Sequence, residues 1–107
     1  MIGPYKIITL CGSTRFKDAF MREQKRLTLE GNIVISVGLF GHSGDDEAWT
    51  NNGETKNMLD DMHKHKIDLS DGIFVINEKG YIGSSTKNEI CYALEHGKIV
   101  EYMEPLK

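Results

Sequence analysis

Two segments rich in glycine and hydroxyl residues carry the side chains that could do chemistry. The first reads "CGSTRF" and runs from Cys11 to Phe16. Its glycine allows a tight turn, its serine and threonine offer hydroxyl and N–H groups at a helix start, and Arg15 adds a fork-shaped cation. This combination would hold a phosphate or a carboxylate. The same residues would also fit an ordinary helix N-cap beside a solvated arginine.

The second segment reads "GYIGSSTKNEICYALEHGK" and contains one carboxylate, Glu89, near the start of a predicted helix. The spacing from Thr86 to Glu89 fits a capping box, in which the glutamate reaches back to the first turn. Glu89 also lies at the edge of the apolar stripe of this helix, which contains Ile90, Ala93 and Leu94. From that edge the carboxylate would point over the ends of the strands and serve as a base or a nucleophile. Both interpretations are open from these residues.

Alternating apolar patterns predict the elements that position these segments. Short β-branched runs predict strands over Tyr5–Cys11, Asn32–Phe40, Gly72–Asn77 and the final "KIVEYM". Helical spacing begins at Thr14 and stops at Gly31, resumes in "TKNMLDDMHKHKIDLSD", and returns from about Ser85 to His96. Strands that alternate with helices indicate an α/β fold: a small doubly wound, flavodoxin- or Rossmann-like parallel sheet of order 2-1-3-4, with helices on both faces. The 107 residues form one domain, 1–107.

In such a sheet the ligand crevice lies at the carboxyl ends of the strands, where the strand order reverses. For order 2-1-3-4 the reversal falls between strands one and three, so the two hydroxyl-rich loops should face each other there. We therefore expect a substrate site formed by Gly12, Ser13, Thr14, Arg15, Phe16, Gly83, Ser84, Ser85 and Thr86.

The spacing of the histidines and cysteines does not match a metal site. His63 and His65 lie two residues apart on a predicted helix and should point in different directions. Cys11 and Cys91 are far apart in sequence, and we expect both to be buried as small apolar side chains in a reducing compartment. The expected cofactor and metal content is therefore none.

A long loop without periodicity, from Gly41 to Thr55, is predicted between the second strand and the second helix. A loop of this length in a small domain is usually functional or disordered. It contains His42, which could reach a substrate, and Trp49, which could stack on a base or cover the core.

Composition excludes several classes of partner. The net charge of −3 and the isoelectric point near 5.8 argue against binding a nucleic acid polymer. No apolar run approaches the roughly 20 residues that span a bilayer. The N-terminal segment has Lys6 within its apolar stretch and no cleavable signal pattern, so a cytoplasmic location is expected.

Taken together, "CGSTRF", "KIDLSDGIFVIN" and "GYIGSSTKNEICYALEHGKIV" resemble the nucleoside 2-deoxyribosyltransferase-like superfamily, including its small phage and bacterial branch. The resemblance covers nearly the whole chain. The last segment resembles the family's Asp-Ser-Gly-Thr-x-x-Glu-x-Gly-x-Ala motif followed by Gly-Lys, and it matches at Ser84, Thr86, Glu89, Ala93, Gly97 and Lys98. Gly83 stands where the transferases have an aspartate, and Tyr92 where a glycine is usual.

The resemblance implies an activity and a set of roles. Glu89 falls on the family's glutamate nucleophile, which attacks C1′ of a nucleoside or of its 5′-monophosphate and displaces the base. The aspartate that handles the leaving base has no clean match, and Asp60, Asp61 and His63 are the nearest candidates. Relatives often complete each site with a neighbouring subunit, so a homo-oligomer is expected. The alternative is an inactive nucleotide-binding module of the same fold.

Overall fold

The structure is a computed structural model that describes residues 3–38, 40 and 53–106. Four strands alternate with three helices along the chain. These are β1 (Ile7–Gly12), α1 (Lys17–Leu29), β2 (Ile33–Ile35), α2 (Gly53–Asp68), β3 (Gly72–Ile76), α3 (Ser84–Glu95) and β4 (Ile99–Tyr102). Short 3-10 turns precede α1, over Thr14–Phe16, and α3, over Glu78–Gly80.

The strands form one parallel sheet in the order β2-β1-β3-β4. β1 and β3 lie at its centre, and their register places Cys11 opposite Val75 and Gly12 opposite Ile76. The predicted α/β class and strand order are therefore confirmed. The carboxyl ends of β1 and β3 meet at the point where strand order reverses.

Alternation along the central strands builds a core on each face of the sheet. Leu10 and Phe74 point to one side and pack with Phe20 of α1. Cys11 and Val75 point to the other side and pack with Ile67 of α2 and Ala93 of α3. Helices therefore cover both faces, as predicted. The fully buried Phe20 anchors the first core, since removal of such a ring typically costs about 3–5 kcal/mol.

The second strand differs from its prediction. It was expected to be buried over Asn32–Phe40, but it spans only Ile33–Ile35 and Ile33 is 49% exposed. The physical reason is its place at the edge, where β1 is its one partner among the described strands. Phe40 remains in the core without belonging to the strand, because its ring packs edge-to-face on Phe20. Residues 41–52 of the predicted long loop, with His42 and Trp49, lie outside the described residues.

The start of α3 agrees with its prediction to within one residue and decides whether Thr86 and Glu89 form a capping box. The helix begins at Ser84, after Gly83 as N-cap, and no side chain caps it. Thr86 is therefore in the first turn and buried, and Glu89 is in the second turn. The predicted capping box is wrong, because both residues lie too far inside the helix to bond its free N–H groups.

The two cysteines have different environments. Cys11 is buried as predicted, whereas Cys91 is exposed on α3, so the expectation for Cys91 is wrong. Cys91 lies on the outer side of α3, away from Ala93, which is the residue that packs on the sheet. Both cysteines are free thiols.

Within the described ranges, no helix combines the length and the apolar composition that a membrane crossing would require.

Close packing of β3 against β4 yields a stability prediction. A Cβ atom added to Gly72 would lie 2.6 Å from the backbone oxygen of Ile99. We expect Gly72→Ala to lower the free energy of unfolding by roughly 2–3 kcal/mol, because backbone atoms on both strands must move apart. Chemical denaturation measures this change. Gly38→Ala is the matched control, since a Cβ there meets nothing within 4 Å. Equal small losses in both variants would contradict the predicted close approach.

Candidate active site

A cavity of about 320 Å³ lies beside the carboxyl ends of β1 and β3. Its walls include Gly12 to Arg15 after β1 and Gly83 to Thr86 at the start of α3. The two hydroxyl-rich loops therefore converge, as the predicted strand order required. A third wall comes from α2, and the size suits a small molecule.

Gly12 sets the position of the first loop. Its φ is +153°, and a Cβ there would lie 2.7 Å from the backbone oxygen of Ile76 on β3. Only glycine allows β1 and β3 to approach this closely. Cys11, just before this glycine, packs with residues of α2 and α3. Ser13, just after it, lines the cavity.

Arg15 is held in place by two neighbours. Its Nε donates to Ser13 Oγ at 3.1 Å, and its guanidinium lies over the Tyr81 ring, 4.6 Å from the centroid. Tyr81 packs edge-to-face against Phe16. Phe16 thus supports the cation through Tyr81 and is not itself part of the cavity wall. Arg15, Ser13 and Thr14 all line the cavity.

Glu89 points inward from the second turn of α3. Its side chain is only 15% exposed, and it lines the cavity. Since α3 begins five residues earlier and Glu89 caps nothing, helix capping does not explain its position. A carboxyl group placed at this depth costs free energy unless it is neutral or has polar partners.

Those partners are Cys11 and His63. His63 Nε2 lies 3.3 Å from Cys11 Sγ and 3.7 Å from Glu89 Oε1. Cys11 is fully buried, and the side chain of His63 is 8% exposed. The end of β1, the middle of α2 and the second turn of α3 therefore each contribute one ionisable group to one cluster.

Burial dominates the ionisation of this cluster. It raises the pKa of Glu89 to about 7; the facing Cys11 thiol opposes this rise, and the charge of Asp60 adds to it. It lowers the pKa of His63 to about 4, helped by the positive charge of Lys66. Burial, followed by the charge of Glu89, raises the pKa of the Cys11 thiol well above its ordinary value. At neutral pH His63 is therefore uncharged, and Glu89 exists in both protonation states.

Two lysines of α2 complete the cavity wall. Lys66 is half-buried and donates to the backbone oxygen of Ser36 at 3.0 Å. Lys56 pairs with Asp60 at 2.9 Å and reaches Ser85 Oγ at 3.5 Å. The cavity therefore combines these cations with Arg15 and suits a ligand that carries negative charge.

The three candidates for handling a leaving base occupy different places. His63 and Asp60 line the cavity, whereas Asp61 is exposed and lies outside its wall. Asp61 and His63 are separated by two positions on α2, which places their side chains on different faces of the helix.

Sequence reasoning missed Cys11, Lys56 and Lys66. Lys56 and Lys66 carried no signal, because lysines on an amphipathic helix usually contact solvent. Cys11 could have been found, since strand alternation places it on the opposite face from Leu10, next to the start of α3.

Within residues 3–38, 40 and 53–106, this cluster is the group of side chains that could hold a metal ion. Cys11, His63 and Glu89 each offer one ligand atom, and these atoms lie within 4.8 Å of one another. This differs from the expectation drawn from the spacing of His63 and His65, because the other two donors come from different elements.

Comparison with protein-family models, with curated proteins and with solved structures found no match for this chain. The fold and the site define an α/β protein with a small-molecule cavity at the topological switch point of its sheet.

The raised pKa of Glu89 predicts how stability depends on pH. A carboxyl group with a folded pKa of about 7 and an ordinary value of 4.5 favours folding fully below pH 4.5, and this contribution is lost as pH rises through 7. The Glu89→Gln variant has no carboxyl group to ionise at this position, so it does not lose this stability as the pH rises. We expect the variant to gain on the order of 3 kcal/mol over the wild type between about pH 4.5 and pH 8.

Denaturant unfolding at several pH values, in a buffer with a chelator, measures the difference between the two proteins. The opposite contribution of His63 is present in both proteins. Glu95→Gln, an exposed change on the same helix, is the control and should show no such trend. A constant difference between Glu89→Gln and the wild type across this range would contradict the prediction.

Proposed function

We propose that this protein cleaves or transfers at the N-glycosidic bond of a (deoxy)nucleoside or its 5′-monophosphate, with Glu89 as the nucleophile. The observation that carries the proposal is the inward carboxylate of Glu89, which lines the same cavity as the anion-favouring residues Ser13, Thr14 and Arg15. An anion-binding end and a reactive carboxylate within one small cavity suit a sugar with a phosphate on one side and a leaving base on the other.

In the proposed reaction the ionised form of Glu89 attacks the anomeric carbon C1′. The bond from C1′ to the base nitrogen breaks, and its electron pair stays on the base, which takes a proton from solvent. A covalent glycosyl ester on Glu89 results. Water or a second base then attacks C1′, the ester bond breaks, and the carboxylate is restored. The acceptor, whether water or a base, loses one proton to solvent as its bond to C1′ forms. The two-step logic parallels that of retaining glycosidases.

His63 suits a role in orienting the base rather than in protonating it. Its lowered pKa leaves the imidazole neutral at physiological pH, so it carries no second proton to donate. Its Nε2 atom lies 3.7 Å from Glu89 Oε1, so His63 and the nucleophile border the same part of the cavity. Asp60 lines the cavity and is the nearer carboxylate for contact with the base, while Asp61 stays a prediction from sequence.

A phosphate on the substrate fits the opposite end of the cavity. The stack of Arg15 on Tyr81 and its bond to Ser13 limit the freedom of the guanidinium. A guanidinium group that is already held in one orientation loses little side-chain entropy when it binds a phosphate through two hydrogen bonds. The Ser13 and Thr14 hydroxyls lie in the same wall and can add neutral hydrogen bonds.

A second candidate function is nucleotide binding without turnover. Gly83 lines the cavity at the position where the resembled transferases carry an aspartate, so one polar group of their site is replaced by backbone. Such a module would raise its melting temperature with a nucleotide by mass action but release no base.

Base release measured by chromatography separates the two functions. The protein is incubated with deoxynucleosides, ribonucleosides and their 5′-monophosphates, with and without an acceptor base. Glu89→Gln should lower release by at least about a thousandfold, since the amide cannot form the ester intermediate. Glu95→Gln should retain wild-type release. Release that persists in Glu89→Gln would reject the nucleophile, and ligand-induced stabilisation without any release in the wild type would favour the binding module.

Arg15 yields a separate prediction about the phosphate. We expect Arg15→Ala to weaken binding of a nucleoside 5′-monophosphate roughly tenfold to a hundredfold, because a charge-assisted contact is lost. Binding of the matching nucleoside should change little. Calorimetric titration of both ligands measures the difference. Arg22→Ala, an exposed arginine on α1 outside the cavity wall, is the control. Equal losses for nucleoside and nucleotide would contradict the phosphate contact.

A further inference from the structure

The Cys11, His63 and Glu89 side chains bring three possible metal-ligand atoms together at the wall of the cavity. His63 Nε2 faces both Cys11 Sγ, at 3.3 Å, and Glu89 Oε1, at 3.7 Å. Cys11 also forms a side-chain hydrogen bond with Glu89. One donor atom from each of β1, α2 and α3 therefore lies at the same place.

The same spacing matches the coordination sphere of a small divalent cation. Tetrahedral zinc lies about 2.3 Å from a thiolate and about 2.0–2.1 Å from an imidazole nitrogen or a carboxylate oxygen. Those bond lengths place neighbouring ligand atoms roughly 3.3–3.6 Å apart. The two measured separations of 3.3 and 3.7 Å bracket this range, and all three atoms lie within 4.8 Å of one another.

We infer that Cys11, His63 and Glu89 form a three-ligand site for a zinc-class divalent cation, with a fourth position open to the cavity. The donor set selects the metal. A thiolate and an imidazole favour zinc and its close analogue cobalt, while magnesium and calcium prefer oxygen ligands alone. Glu89 and His63 line the cavity and Cys11 lies behind them, so the open position faces the cavity.

Binding changes the protonation of the cluster. The metal bonds to the Cys11 sulfur as its S–H bond breaks, and the proton passes to solvent. The neutral His63 binds through its Nε2 lone pair without losing a proton. The cation also removes the mutual repulsion of a thiolate and a carboxylate, which otherwise disfavours ionisation of Cys11.

Metal binding has a consequence for turnover that rests on the proposed function. A Glu89 oxygen bonded to the cation is not available to attack C1′. We therefore expect zinc to inhibit base release reversibly, with recovery after addition of a chelator. The metal site and the glycosidic chemistry would then be alternative uses of the same carboxylate.

Cobalt titration of the full chain tests the site without reference to activity. Co²⁺ added to the reduced, metal-free protein should produce a thiolate charge-transfer band and the strong visible bands of tetrahedral coordination at one ion per chain. Zinc should displace them. Cys11→Ser should abolish the charge-transfer band. Glu89→Gln, a change at the cavity wall that preserves side-chain shape, should weaken affinity at least tenfold.

The control is the double variant Cys91→Ser and His65→Gln, which removes an exposed cysteine and an exposed histidine from the same two helices. It should bind cobalt as the wild type does. A charge-transfer band that disappears in this variant and persists in Cys11→Ser would overturn the proposal, as would a wild-type titration with no band. If Cys11→Ser does not fold, an unchanged affinity in Glu89→Gln overturns it equally.

Measurement of base release with and without bound metal distinguishes failure of the metal site from failure of the proposed reaction. Tight cobalt binding through Cys11 in a protein that never releases base supports the metal site and rejects the proposed reaction. Base release that zinc leaves unchanged at saturating occupancy overturns the inhibition. Release that falls with occupancy and returns with chelator supports both.

Discussion

The close parallel pairing of β1 with β3 is the constraint on which the rest of the structure depends. At its carboxyl end Gly12 lies so near the Ile76 backbone that no side chain fits between them. Gly12 and Ile76 are the last residues of β1 and β3, and they lie opposite each other. The loop after β1 and the start of α3 therefore open onto one cavity, and α2 closes its third side. A wider separation of these strands would move Arg15 and Glu89 apart.

The site places ionisable groups where the sheet would otherwise be apolar. Cys11 belongs to the same core as Ile67 and Val75, yet its sulfur faces an imidazole and a carboxyl group. Burial disfavours the charged form of each group, which keeps His63 neutral and Glu89 close to its titration point. A carboxyl group whose pKa is about 7 gains or loses its proton when its surroundings change only slightly. A substrate, a proton or a cation can each supply such a change.

The architecture and the convergence of the two loops were predictable from sequence because both depend on simple periodicities. Buried strands that alternate with helices require a parallel sheet, and the position of the order reversal identifies the loops that meet. The capping role, one of the two interpretations left open for Glu89, is wrong for an equally physical reason. The first turn of α3 begins at Ser84 because the extended backbone of Gly83 starts the helix there, and a helix start is poorly marked when no side chain caps it. The short length and the exposure of β2 likewise depend on the neighbours that the strand finds, which its own apolar residues do not encode.

The sequence by itself determined the strands, the helices, the order of the sheet and the two loops that carry hydroxyl and charged residues. Those features follow from local spacing and from rules of chain connection. Only the tertiary structure decided that Cys11, His63 and Glu89 meet, that Lys66 faces them, and that Asp60 rather than Asp61 lines the cavity. Contacts between residues more than twenty positions apart depend on how each helix is rotated against the sheet. That rotation is set by the packing of both cores together, and no single segment of sequence specifies it.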